Sequence, residues 1–378
     1  MRIVIDARYV NDHFPGIGRY VYNLLGALGQ LGTSHELVAL YNPELASTRH
    51  DIAALEQHAI RLVRTSARPF TLAEQRELPR LLRELQAGLF HAPYYVRPFL
   101  NLPCPSVTTL YDAIPRLFPH EVTLRARLLF DLLTQLAARS SQHILVISAS
   151  ARDDLAAAYG IARARMSVTP LAADPRFAPQ EREAVARTRA RYGLNEPYIL
   201  CVSSNKPHKN LPILVAAFEK LKAAWAAPLR LVIAGHWDAR YPEAQQAAAQ
   251  LGEQICFLPG IAEADLPGLY CGAEVFASPS RYEGFGLPPL EALACGAPVV
   301  CSNTSSLPEV VGDAALLVEP AADALAEGMM QVLSNATLRE RLRAAGPARA
   351  AHFSWRATAA ATLAVYEHAG RPNAFEGS

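Results

Sequence analysis

Lysine is nearly missing from this chain: of 36 Lys+Arg residues only four are lysine, all between positions 206 and 222. Net charge is as scarce, since 35 Asp+Glu residues leave a formal +1, and that excludes the strongly basic field of a dedicated nucleic-acid binder. The longest apolar stretches run to around ten residues, well short of the ~20 that span a bilayer. Any meeting with a membrane is therefore expected from its surface. The six cysteines (Cys104, Cys201, Cys256, Cys271, Cys295, Cys301) form no C-x-x-C pair, and most lie in apolar runs such as YILCV and PVVCS. Buried free thiols look like this, which points to a reducing, cytoplasmic compartment. The 11 histidines show no H-x-x-x-H spacing and no D-x-D follows an apolar strand, so no metal is expected. The opening MRIVIDARYV carries Asp6 and Arg8 where a signal peptide would have its apolar core, and is expected to be a strand of the fold.

What is present is apolar: 51% hydrophobic against 19% charged residues, with a mean hydropathy of +0.08 over 378 residues. Such a chain is compact and suits two domains of roughly 150 to 200 residues. Short apolar runs alternate with helical patterns, from RIVIDA and YVYNLLGALGQL through HELVALY, GLFHA, SVTTLYD and RARLLFDLLTQLAAR to HILVIS. That rhythm is the mark of a parallel sheet covered by helices on both faces. It restarts after a charged, proline-punctuated stretch, with YILCVSS, LRLVIAG, ICFLPG, VFASPS, PVVCS and AALLVEP. The expected architecture is α/β, two Rossmann-like doubly wound domains facing across a cleft. The first covers 1–172, with a C-terminal helix over 354–378 packing back on it, and the second 173–353. Ligands of such sheets sit outside the carboxyl ends of the strands. Residues 1 to 178 hold 19 arginines, no lysine and 15 acidic residues, so the first half is mildly cationic.

Gly16-Ile17-Gly18 follows the first strand and opens a helix expected near Tyr20, where a backbone approaches a phosphate. A full dinucleotide fingerprint needs glycine at position 21, and Val21 stands there. Gly16 and Gly18 are otherwise a turn pair, and Arg19 adds a cation that either meets a diphosphate or faces solvent. The densest segment is SRYEGFGLPPLEALACGAPVV, residues 280 to 300. Gly284, Gly286, Pro288 and Pro289 break its first part into a loop, while Pro289 and Gly296 bracket a short helix. Glu283 therefore falls in the loop and Glu291 on the helix. The N–H groups of Phe285, Gly286 and Leu287 lack helical partners beside an electropositive helix end. The segment offers amide donors to an anion and two carboxylates to the vicinal hydroxyls of a ribose or hexose; a Gly/Pro-rich strand-to-helix turn with two incidental acids is the alternative.

With these segments the chain resembles the retaining glycosyltransferases of family 4, which have the GT-B fold. The resemblance covers nearly the whole sequence: G-I-G-R-Y, VISASARDDL, VTPLAADPRFAP, VSSNKPHKNL, and E-G-F-G-L-P-P-L-E, the E-x7-E pattern. It implies transfer of a sugar from a nucleotide diphosphate donor with retention and without a metal. Glu283, with the amides of Phe285, Gly286 and Leu287, would hold the donor sugar, and Glu291 the nucleotide ribose. Lys209, just after strand YILCVSS, would neutralise the departing diphosphate. The arginine that relatives carry five residues before this lysine is replaced by Ser204, so Lys206, His208 or Arg19 is left to supply a second charge.

On the acceptor side, His91 and Asp112 each stand at the end of an apolar run and are candidates for contact with the acceptor. Tyr111 occupies the place of a histidine found in many relatives. Ser148 either contacts substrate or caps a helix over ARDDL. Residues 122 to 139 combine an apolar face with Arg125, Arg127 and Arg139, suiting either an ordinary packed helix or an interfacial one resting on anionic lipid. The resemblance tilts the reading to a mannose-type sugar on GDP, moved to a glycan or lipid-linked acceptor in bacterial surface polysaccharide synthesis, with peripheral membrane contact and no cofactor beyond the nucleotide sugar. A GT-B sugar-nucleotide epimerase and a catalytically inactive nucleotide-sugar-binding partner are the alternatives.

Overall fold

Residues 1–371 are described by the structure, a computed structural model. The chain divides into two compact units, Met1–Leu171 joined by the segment from Ser354, and Ala172–Phe353.

The first unit is built on seven strands: β1 (Arg2–Asp6), β2 (Glu36–Tyr41), β3 (Ile60–Arg64), β4 (Leu89–Ala92), β5 (Ser106–Leu110), β6 (His143–Val146) and β7 (Met166–Val168). They lie in the order β3-β2-β1-β4-β5-β6-β7, and every pairing is parallel. Helices cover both faces of such a sheet, so the central strands read as continuous apolar runs. All four residues of β4 and of β6 are buried. The two edge strands were not legible as runs. Edge strand β3, IRLVR, has only Ile60 buried, and β7 has three residues.

The helix after β1 spans Pro15–Gln30, five residues earlier than the sequence suggested, because Pro15 is preorganised for a first helical turn. Gly16 and Gly18 therefore lie inside that turn. The helix Trp355–Ala369 belongs to the same unit; residues 372–378 of the expected segment lie outside the described residues. Tyr366 on it meets His91 (Tyr366 Oη to His91 Nδ1, 2.6 Å), and Thr358 donates to Pro170 O at 2.6 Å. Ser148 caps the helix Ala149–Tyr159, accepting from Ala151 N–H at 2.9 Å.

The second unit has six strands: β8 (Tyr198–Val202), β9 (Arg230–Ala234), β10 (Ile255–Leu258), β11 (Val275–Ser278), β12 (Val299–Ser302) and β13 (Ala315–Val318). Their order is β10-β9-β8-β11-β12-β13, again parallel. The chain winds one way from β8 to β10 and the other way from β11 to β13. The reversal falls between β8 and β11, the position where loops part and leave room for a ligand at the carboxyl edge.

All six cysteines are free thiols. Among the described residues no helix is long and apolar enough to cross a membrane.

Candidate active site

The two loops that flank the reversal in the second unit carry the charged residues singled out above. Beyond β8 the chain runs through Ser203 and Ser204 to a 3-10 turn, Pro207–Lys209. Asn205 pins this loop: its Nδ2 donates to Asp238 O and Tyr241 O, both at 2.7 Å, and its Oδ1 accepts from Asp238 N–H at 2.7 Å. Asn210 then takes a left-handed conformation (φ 60°), which asparagine tolerates better than most side chains. Its Nδ2 reaches Pro279 O at 3.1 Å, tying the turn to the loop after β11.

That second loop holds Glu283. Lys209 Nζ donates to Glu283 Oε2 at 2.6 Å and Ser280 Oγ donates to Oε1 at 2.8 Å, so both carboxylate oxygens are oriented. Ser305 Oγ accepts from Glu283 N–H at 2.8 Å, and Ser306 Oγ lies 2.8 Å from Glu283 O and 2.7 Å from Phe285 O. The loop is thus held from below by serines and from the side by the Lys209 turn. Gly286 follows with φ 103°, a conformation that a side chain would strain, and starts the helix Leu287–Ala294. Two of the first three helical residues, Pro288 and Pro289, have no N–H. The first helical hydrogen bond is Leu290 N–H to Gly286 O. The helix ladder leaves out the N–H groups of Phe285, Gly286 and Leu287, at the electropositive end. Phe285 anchors them from behind, packed edge-on against Phe353.

Glu291 is the fifth residue of the same helix and only 2% exposed. Its Oε2 accepts from Tyr270 Oη at 2.9 Å. Glu283 and Glu291 thus belong to one loop–helix hinge, one in the loop and one in the wall.

The structure corrects three of the sequence-based expectations. His208 is no source of positive charge: it is buried, and burial, with Lys209, Lys206 and Arg281 adding, pushes its pKa down to about 3. His91 does not stand at a strand end facing ligand. It is the third residue of β4, fully buried, with Nε2 2.8 Å from Thr109 Oγ1 and Nδ1 against Tyr366. Burial first, then Arg97, lowers its pKa to about 3, so it is a neutral strut joining β4, β5 and the C-terminal helix. Gly18 is buried for packing rather than for phosphate: a Cβ there would lie 3.0 Å from Tyr9 O.

The remaining candidates are placed as follows. Asp112 lies just past the end of β5, half-buried, its Oδ1 accepting from Ile114 N–H at 2.9 Å. Ser204 is half-buried, and Ser203 Oγ donates to its carbonyl at 2.9 Å. Gly16 is exposed and Arg19 half-buried on the first-unit helix. Tyr111 packs edge-on against Tyr20 at 5.7 Å.

Sequence reasoning missed Arg281. Its N–H donates to His208 O at 2.8 Å and its guanidinium reaches Pro207 O at 3.3 Å, which holds an exposed cation against the Lys209 turn. The signal was its position two residues before Glu283. Also missed was Phe70, 52% exposed with a left-handed backbone (φ 65°) and stacked on Phe14 with centroids 6.2 Å apart. A bulky aromatic held in that region is strained. No group of three or more His, Cys, Asp or Glu that could hold a metal occurs among the described residues.

Two family models match the chain, Glycosyltransferase Family 4 over residues 15–177 and Glycosyl transferases group 1 over residues 186–349. The chain is 28% identical to the O-antigen chain mannosyltransferase B of Escherichia coli, over 97% of this chain and 100% of that protein. It is 33% identical to the MMP alpha-(1->4)-mannosyltransferase of Mycolicibacterium hassiacum, over 61% of this chain and 55% of that protein. An Anabaena protein solved in complex with UDP and glucose shares the fold, with a TM-score of 0.75, 19% identity, and coverage of 97% of this chain and 99% of that one.

Proposed function

The chain belongs to the family 4-like glycosyltransferases of GT-B fold, and from that premise we propose that it moves a mannose-type hexose from a nucleotide diphosphate sugar, GDP favoured, to a glycan or lipid-linked acceptor with retention at the anomeric carbon. Bacterial surface polysaccharide synthesis is the setting that its similarity to O-antigen mannosyltransferases favours.

The observation that carries this reading is the Lys209–Glu283 pair at the topological reversal of the second sheet. An ammonium has three N–H bonds, so Lys209 can keep Glu283 and still donate to a phosphate oxygen. Carboxylate lone pairs of Glu283 that Lys209 and Ser280 do not occupy accept from hexose hydroxyls. The amides of Phe285, Gly286 and Leu287, with Lys206 or Arg281 as the second cation, take up charge on the diphosphate as it leaves. In the front-face step the bond from the anomeric carbon to the phosphate oxygen breaks while the acceptor oxygen bonds to the same face. The acceptor proton passes to an oxygen of the departing diphosphate. The protein supplies position and fixed charge. On the first unit, Asp112 at the carboxyl edge of β5 and the exposed face of Phe70 are the groups offered to the acceptor.

The test is a thermal-shift and calorimetric screen of GDP, UDP, ADP and dTDP and their sugars, followed by proton NMR of the product anomer. A binder of the folded state raises the melting temperature by mass action. An inverted product, or turnover of donor to an epimer without acceptor, would refute the reading.

Two further results are expected. Glu291→Ala should weaken nucleoside diphosphate binding about 10- to 150-fold, the worth of a hydrogen bond to a charged group at about 1.5 to 3 kcal/mol. Calorimetry giving an unchanged Kd would remove Glu291 from the ribose. Turnover should also survive saturating EDTA, because Lys209 and the loop amides carry the charge that a divalent cation would otherwise carry. Loss of activity on chelation, restored by Mn²⁺, would overturn the metal-free mechanism.

A further inference from the structure

Two of the six free thiols meet beside Glu291. Cys271 is the last residue of the helix Leu266–Cys271, and Cys295 is the residue that follows the helix Leu287–Ala294. Cys271 Sγ lies 3.4 Å from Cys295 O and 3.6 Å from Ala178 O, and the two thiols hydrogen-bond to each other. They differ in access. Cys295 is buried, whereas Cys271 is half-buried and opens on a cavity of about 560 Å³ that Arg182, Val185, Ala186 and Arg189 also line. They differ in ionisation as well. The hydrogen bond from the Cys295 thiol, with the Gln180 N–H and the Arg343 guanidinium, outweighs burial and lowers the Cys271 pKa, while the same bond and burial raise that of Cys295. Arg343 is held nearby, its Nη2 3.3 Å from Ala273 O. A reachable, ionisable thiol against a buried one is the arrangement of an attacking and a resolving cysteine.

We propose that Cys271 and Cys295 form a reversible oxidation site, at which a hydroperoxide closes a disulfide that weakens nucleoside diphosphate binding. The Cys271 thiolate attacks one peroxide oxygen; the S–O bond forms, the O–O bond breaks, and hydroxide leaves. The Cys295 sulfur then displaces the sulfenic hydroxyl, and its proton departs with that hydroxyl as water. In a reducing compartment the pair rests as two thiols. The consequence follows from where the sulfurs sit. Tyr270, one residue before Cys271, donates to Glu291 Oε2 at 2.9 Å, and Cys295 N–H donates to Glu291 O at 3.0 Å. A disulfide is about 2.05 Å long, so the sulfurs must close in from hydrogen-bond contact. That draws the last turn of Leu287–Ala294 toward Leu266–Cys271, and Glu291, one turn before Cys295, goes deeper against Tyr270 and away from a ribose. The bridge also closes a ring around residues 272–294, which carry Ser280, Glu283 and Gly286. The bridge rests on the two thiols alone, while its effect on the nucleotide rests on the donor reading above.

The experiment treats the reduced full chain with hydrogen peroxide and counts free thiols, with no nucleotide present. Wild type should lose two of its six thiols, and tandem mass spectrometry should place the bridge between Cys271 and Cys295. Cys295→Ala should stop at a sulfenic acid on Cys271, trapped by dimedone, and Cys271→Ser should form no bridge. Calorimetry with GDP and with UDP then compares the two states. Oxidation should raise the nucleoside diphosphate Kd of wild type about tenfold, the lower end of what losing a bond to a charged group costs. Dithiothreitol should restore it, and the Kd of Cys271→Ser should not respond to peroxide. A wild type that keeps all its thiols, or bridges other cysteines, would overturn the site. Oxidised protein that carries the bridge and binds as tightly as reduced protein would overturn the coupling. Reduced protein that forms the bridge but binds neither GDP nor UDP supports the thiol site and overturns only the donor reading.

Discussion

Replacing Lys209 by alanine is expected to lower kcat about 100-fold or more, the magnitude of losing a preorganised donor aimed at charge that grows in the transition state. Two effects combine. The departing diphosphate loses a cation, and Glu283, whose Oε2 the lysine holds at 2.6 Å, keeps only Ser280 as an orienting donor. Lys209→Arg should restore activity only in part, because a planar fork and a point charge do not reach the same oxygens. Single-turnover rates at saturating donor measure the effect. The double variant Lys209→Ala with Glu283→Gln separates its two components. If the lysine acts only by orienting Glu283, the double variant is no slower than Glu283→Gln alone. If it also meets the diphosphate, a further loss remains. Near-normal turnover of Lys209→Ala would pass the role to Lys206 or Arg281.

The second large effect is on stability and comes from the first unit. Arg8, Asp6 and Glu74 form a buried ionic cluster, with Arg8 Nη2 2.6 Å from Asp6 and 3.1 Å from Glu74. All three residues are at most 2% exposed. Replacing Arg8 by methionine leaves two carboxyls buried without their cation, and breaking such a set costs about 3 to 5 kcal/mol. For a unit of this size that lowers its melting temperature by about 10 °C. The pH dependence has a definite sign. Burial first raises the Glu74 pKa from the usual 4.5 to about 7; Arg8 opposes that shift and Asp6 adds to it. A carboxyl raised in the folded state contributes stability that is fully present below about pH 4.5 and is lost as pH climbs through about 7. Without Arg8 only the Gln75 hydrogen bond still opposes burial, so the variant should be worst at pH 8 and partly recover at pH 5. Melting curves at both pH values check this. A variant that melts like wild type at pH 8 would show that the cluster contributes little.

Much of this protein is written in local pattern. Central strands such as β1, β8 and β11 are buried on both faces, so their apolar runs are continuous and visible without a structure. The loop and helix carrying Glu283 and Glu291 are equally plain, because Gly284, Gly286, Pro288 and Pro289 forbid a continuous helix. Lys209 stands out through the scarcity of lysine and its place just beyond a strand. The sequence by itself therefore determined the parallel sheets, the loop–helix hinge and the charge types at the site.

Facing and burial were decided only by tertiary structure, since both depend on neighbours far along the chain. His91 reads as a strand-end histidine until Tyr366, 275 residues away, occupies its Nδ1. His208 reads as a cation until the fold buries it among Lys206, Lys209 and Arg281. Arg281 looks like a solvated side chain until its loop is laid against Pro207 and His208. The helix Leu124–Ser140 has an apolar face in any reading, yet which way that face turns is set by the small residues that seat it, Thr134, Ala137 and Ala138. The period of a helix fixes which side chains share a face; what that face meets is a property of the packed chain.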